Sequence, residues 1–142
     1  MQTLSDLDGS RWTGKAELWL DPAGNETIMS DCTLHVVDGR LEYTWSYKGE
    51  DHAGSIVPKG DRAEFQDSWH QSKPMECTPV RGSWALLEVF GTYEAGEGPP
   101  WGWRLAVSLR PSDELVLQMT NVTPWGEDGR AVRMIGARVA AG

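Results

Sequence analysis

With 142 residues, 39% of them hydrophobic, the chain is long enough to bury a core of its own as one domain over 1–142 without disulfide or metal support. A formal charge of −8 argues against a nucleic-acid backbone or an anionic membrane surface as partner, because both require a basic footprint. No apolar run approaches the roughly 18 residues that span a bilayer, and MQTLSDLDGS lacks both the basic and the apolar part of a secretory leader, so a soluble, cytoplasmic protein is expected.

Along the chain, segments rich in Val, Leu, Thr and aromatics recur between Gly, Pro, Asp and Asn. They predict strands near 10–20, 26–37, 40–48, 53–58 and 62–71, then 82–93, 101–110, 114–122 and 130–139. No stretch of helical length shows a helical period. The links DPAGN (21–25), DGR (38–40), PKGDR (58–62), PSDE (111–114) and GEDGR (126–130) have hairpin chemistry, with Asn, Asp and Gly supplying positive φ. Two longer connections, 72–81 and 94–100, are rich in Pro or Gly. Short links make consecutive strands pair antiparallel, and closing the sheet removes its edges. The expected fold is therefore all-β, a single antiparallel up-and-down barrel of about eight to ten strands, whose interior is either filled or holds one small ligand.

Period-two alternation assigns the faces. In 101–110 the odd residues Trp101, Trp103, Leu105, Val107 and Leu109 face Arg104, Ser108 and Arg110 across the strand. Leu41, Tyr43, Trp45 and Tyr47 group together, as do Leu115, Leu117, Met119 and Asn121. In 82–93 the two faces tie. In EFQDSWHQSK, Phe65, Asp67 and Trp69 share the inward face, so Asp67 is expected inside, where a lone carboxylate costs several kcal/mol unless it is paired or hydrogen-bonded.

Asp67, Ser68 and His70 resemble a catalytic trio in order only. Alternation separates Asp67 from the other two, and no G-x-S-x-G elbow occurs. His35, His52 and His70 match no metal-ligand spacing, and neither do Cys32 and Cys77, so no metal and no disulfide are expected. Arg104 reads as an outward cation paired with a surface acid unless a bulge at Gly102 slips the parity. Eight Trp are the compositional outlier, and Trp19 and Trp125 are the candidates for an exposed sugar platform.

LDGSRWTGKAELWL, with Gly9-Ser-Arg-Trp12 opening the first strand, and AVRMIGARVA, ending in Arg138, resemble the closed end of calycin-type barrels, the lipocalins, fatty-acid-binding proteins and their relatives. DSWH, WGWR and NVTPWGE look most like uncharacterised bacterial families of lipocalin-like fold. The resemblance implies that Trp12 and Arg138 pack together as structural residues. Haem-binding relatives use a His near the C-terminus, and none follows His70, so no cofactor is expected.

Three functions fit this reading. The first is non-catalytic binding of a small hydrophobic or aromatic molecule in a pocket walled by Tyr43, Trp45, Trp69, Trp103 and Met119, with Asp67 and Asn121 at the polar end. The second is an enzyme using a desolvated Asp67 or Glu88 as general acid or base. The third is an interaction barrel with a filled core.

Overall fold

Alternation and turn chemistry together produce ten strands. The computed structural model describes residues 3–21, 23–69 and 73–140. In order these carry β1 (Arg11–Trp19), β2 (Thr27–Val37), β3 (Arg40–Tyr47), β4 (Glu50–Lys59), β5 (Arg62–Asp67), β6 (Met75–Pro79), β7 (Leu87–Tyr93), β8 (Trp101–Leu109), β9 (Glu114–Val122) and β10 (Asp128–Arg138). Each strand pairs antiparallel with the next and β10 pairs with β1, closing an up-and-down barrel. No helix among the described residues is long and apolar enough to cross a membrane.

The expected elements need four corrections. The stretch 72–81 is not only a connection but contains β6, whose Met75 and Cys77 are buried while Glu76 and Thr78 are exposed. Pro74 lies just outside that strand and Pro79 ends it, where a missing N–H is tolerated. β4 starts at Glu50, because Lys48 and Gly49, at φ 51° and 77°, form the whole turn after β3. β5 stops at Asp67, with Ser68 and Trp69 already in a turn; the remainder of the expected strand, including His70, lies outside the described residues. β7 begins only at Leu87, preceded by a loop in which the Ser83 hydroxyl accepts the Ala85 N–H at 3.1 Å.

The predicted faces hold. Leu41, Tyr43, Trp45, Trp103, Leu105, Val107, Leu115, Leu117 and Met119 are all buried. The tie in β7 is broken by Val89 and Gly91, which point inward because a side chain at Gly91 would collide with Met75 and Cys77. Glu88 therefore lies on the outer wall, where it accepts the Ser83 hydroxyl at 2.6 Å.

One end of the barrel is closed. The turns 38–39, 60–61 and 110–113 lie at this lower end, and a 3-10 turn, Leu4–Leu7, inserts Leu4 and Leu7 beneath the core. Trp12 has no exposed surface and donates its indole N–H to Ser10 Oγ at 2.9 Å. Arg138, its partner in the β1–β10 register, holds its guanidinium 4.4 Å from the ring centroid. Asp113 fixes that guanidinium through two hydrogen bonds, at 2.9 and 3.0 Å, and those bonds hold the Asp113 carboxyl below the usual carboxylate range.

The two halves of this plug should differ in weight. Trp12→Ala is expected to cost about 3–5 kcal/mol, as for a large buried aromatic. Arg138→Ala is expected to cost only about 1 kcal/mol, the scale of a partly exposed cation–π contact. Urea denaturation of the two variants checks the ranking.

Candidate functional site

Asp67 has no exposed surface and is the one buried residue with a charged side chain among the described residues. Three donors compensate it. The Tyr43 hydroxyl donates to Oδ2 at 2.5 Å, the Trp45 indole N–H to Oδ2 at 3.2 Å, and the Trp69 backbone N–H to Oδ1 at 2.8 Å. Register explains how the first is possible: Tyr43 pairs with Gly54 of β4, and Gly54 pairs with Asp67 of β5, so the three lie in one row. Gly54 is the gap in that row, since a Cβ there would strike the Tyr43 hydroxyl and ring. Burial is the main reason the Tyr43 hydroxyl titrates well above its ordinary value, with the neighbouring Asp67 adding to the effect.

The next row up is aromatic. Trp45 pairs with His52, and their rings lie 5.0 Å apart. Trp69 meets Trp45 edge-on at 5.5 Å, Tyr47 at 5.5 Å and His52 at 6.4 Å. His52 Nδ1 lies 3.4 Å from Ser68 Oγ, which accepts the Ala53 N–H at 3.1 Å. His52 Nε2 is buried and has no hydrogen-bond partner among the described residues. An unpartnered buried nitrogen of this kind costs about 1–3 kcal/mol.

Solvent reaches this row through a break in the wall. The β2–β3 ladder ends at Thr33–Thr44, although β2 continues to Thr27 and β3 to Tyr47. Above that last pair the strands diverge, and a cleft of about 590 Å³ reaches the inner-face residues Cys32, Trp45 and His52 as well as Thr33, Thr44 and Ser68. Asp31 and Asp51 also border it.

Of the residues expected to form a ligand wall, the structure brings Tyr43, Trp45, Asp67 and Trp69 together. Trp103, Met119 and Asn121 lie on β8 and β9, and Trp103 and Met119 belong to the same continuous core as Tyr43 and Trp45. There Trp103 stacks on Phe65 at 6.4 Å, and Tyr93 donates to Asn121 Oδ1 at 2.5 Å. Burial raises the Tyr93 hydroxyl above its ordinary value. Side chains fill the interior at this depth: Tyr43 and Met119 are 2% exposed, Trp45 3% and Trp103 7%, whereas Trp69 at the rim is 40% exposed. Arg104 points outward into a two-bonded contact with Asp128, at 3.0 and 3.1 Å, with β8 in continuous register through Gly102. Of the two platform candidates, Trp125 is exposed, whereas Trp19 faces the guanidiniums of Arg130 and Arg133. Trp84 is the most exposed indole and covers nothing in the barrel.

Sequence reasoning missed His52 and Tyr93 as participants. Placing the start of β4 at 53 hid the fact that His52 shares the inward parity of Gly54 and Ile56; the turn signal in Lys48-Gly49 was the clue. Among the described residues no three His, Cys, Asp or Glu side chains are placed to hold a metal. Cys32 and Cys77 are free, buried thiols. Compared with known proteins, the chain matches no family model and no curated protein sequence.

Removing the shortest donor, Tyr43→Phe, is expected to cost about 1.5–3 kcal/mol, the range for a hydrogen bond to a charged group. Gly54→Ala should be at least as damaging, because its methyl group displaces the same hydroxyl. Chemical denaturation of both variants measures this.

The alkaline side of the stability profile follows from the same burial. Burial pushes the Cys32 and Cys77 thiols up from 9.0 to about 11, and Tyr43 is raised above 10.0. The folded state thus retains protons that the unfolded chain releases. Stability should be level from neutral pH to about 9 and fall as pH rises through 11. In urea titrations Tyr43→Phe should flatten the part of the decline above pH 10.

Proposed function

We propose that the protein is a cytoplasmic, calycin-type binding barrel that takes one small aromatic molecule at its upper end, without chemistry. The observation that carries this reading is the Trp45–His52–Trp69 row, reached through the break between β2 and β3 and containing a buried imidazole nitrogen without a partner among the described residues. A planar ligand would lie against the indoles and give His52 Nε2 its missing hydrogen bond. The cleft volume lies within the range of small-molecule sites. Asp31 and Asp51 at its border disfavour an anion and favour a neutral or cationic ligand.

The packed interior below supports placing the ligand at the mouth rather than along the barrel axis. Tyr43 and Asp67 then act as the floor that holds Trp45 and the Trp69 backbone in place. Binding is favoured over acid–base catalysis because both Asp67 oxygens are already engaged by three donors, and Glu88 lies on the outer wall. The Trp12–Arg138 plug, together with ten antiparallel strands, supports the kinship with lipocalins and fatty-acid-binding proteins. Two separate, reduced cysteines suit a reducing compartment.

Titration with 2-naphthol and 1-naphthylmethylamine tests the site. Both should quench tryptophan emission and raise the melting temperature, since a ligand selective for the folded state must stabilise it. Trp69→Ala should weaken binding about tenfold, roughly the loss of one desolvated aromatic contact. His52→Phe should erase the preference for 2-naphthol over naphthalene. If a broad panel of aromatic compounds moved neither emission nor melting temperature, the binding reading would fall.

A further inference from the structure

On the outer wall, far from the mouth in character, the strand rows gather cations on a protein of net charge −8. Arg104 of β8 pairs with Thr120 of β9, and Thr120 pairs with Arg130 of β10. One row down, Gln118 pairs with Arg133, which pairs with Glu17 of β1. Trp19, at the end of β1, has the guanidinium carbon of Arg130 at 5.8 Å and that of Arg133 at 5.6 Å from its ring centroid. Trp19, Arg104, Gln118, Thr120, Arg130 and Arg133 line a cleft of about 450 Å³, with Asp128, the partner of Arg104, at its border.

A backbone irregularity makes the cluster. The β9–β10 register slips between Arg130 and Val132, so Ala131 is the extra residue of a bulge. In a regular strand Arg130 and Arg133, three apart, would face opposite sides. The bulge turns both to the outer wall, while Val132 and Met134 stay buried.

The charges are unequally claimed. Arg104 is held by Asp128 through two hydrogen bonds, and Arg133 by Glu17 at 3.1 and 3.3 Å. The Arg130 guanidinium has neither an ion pair nor a hydrogen bond among the described residues, although its backbone is part of the β9–β10 ladder. It is nevertheless positioned, between the Trp19 ring and Gly24 of the β1–β2 turn, where even a Cβ would lie 2.7 Å from its Nη1. One unclaimed guanidinium, with a threonine hydroxyl beside it and an indole against it, offers a planar fork of donors and an aromatic surface.

We propose that this cleft is a second binding site, specific for a small carboxylate carried on a planar apolar body. Arg130 would bind the carboxylate bidentately, Thr120 would donate to one of its oxygens, and Trp19 would contact the body. Arg104 and Arg133 are offset by Asp128 and Glu17, so the net positive charge that meets the ligand is that of Arg130.

Benzoate titrated into the ¹⁵N-labelled full chain, with ionic strength held by sodium chloride, is the test. The Trp19 indole N–H, the Arg130 Nε–H and the Thr120 amide should shift saturably. Arg130→Gln should weaken binding at least tenfold and Thr120→Val a fewfold. Arg62→Gln, which removes an exposed guanidinium paired with Glu76 on another part of the wall, should leave it unchanged. All three positions are on the outer surface, so the amide spectrum of each variant reports folding directly. Shifts that match those from chloride alone, that spread over the arginines generally, or that persist with wild-type affinity in both Arg130→Gln and Thr120→Val would overturn the site.

Discussion

A carboxyl group with no access to water sets the terms for the upper half of this barrel. Asp67 can remain buried only if donors surround it, and they come from two other places in the chain: the side chains of β3 and the backbone just after β5. Meeting that demand fixes the register of β3, β4 and β5 relative to one another. A slip of one residue would send Tyr43 to the outer wall and leave the carboxyl alone. It also dictates a glycine between donor and acceptor, because the phenol must cross the intervening strand to reach its partner. The aromatic row at the mouth is built on this arrangement, since Trp45 contributes its N–H downward to Asp67 and its ring sideways to His52 and Trp69.

Much of this is legible in the sequence. Alternation in 101–110 and 115–121 predicted the inner face, and Asp67 emerged as a buried acid because Phe65 and Trp69 share its parity. The compensating donors were less accessible: Tyr43 and Trp45 lie more than twenty positions away, and only the pairing of β3 with β4 and β4 with β5 reveals that they converge. β6 escapes sequence reading because Pro74 before it, Pro79 at its end and Glu76 within it mask an alternation of just two buried side chains, Met75 and Cys77.

Other features leave almost no local trace. The early end of the β2–β3 ladder follows no Gly or Pro within either strand; Thr33 and Thr44 bond through their hydroxyls at 2.5 Å and pairing simply stops above them. The bulge at Ala131 is likewise silent, because R-A-V-R fits either a regular or an irregular strand. Both matter for the proposed sites. A closed sheet has few ways to present side chains other than its mouth, and an interrupted ladder and an inserted residue are two of them. Each trades a little backbone pairing for access.

Closure itself carries a consequence for the order of assembly. The last strand seals the barrel against the first, and Arg133 reaches Glu17 across 116 positions of chain. Nearly all of the chain must therefore exist before the final seam can form. Until then β1 and β9 are open edges able to recruit another strand, and the Trp12 plug lacks the arginine that covers it. Such long-range pairing places the barrel among slow folders, with its period of greatest exposure to misassembly just before completion. The same seam brings the two ends of the described barrel side by side, so a permuted chain that begins at one of the turns and joins the old ends by a short linker would gain its closing strands early.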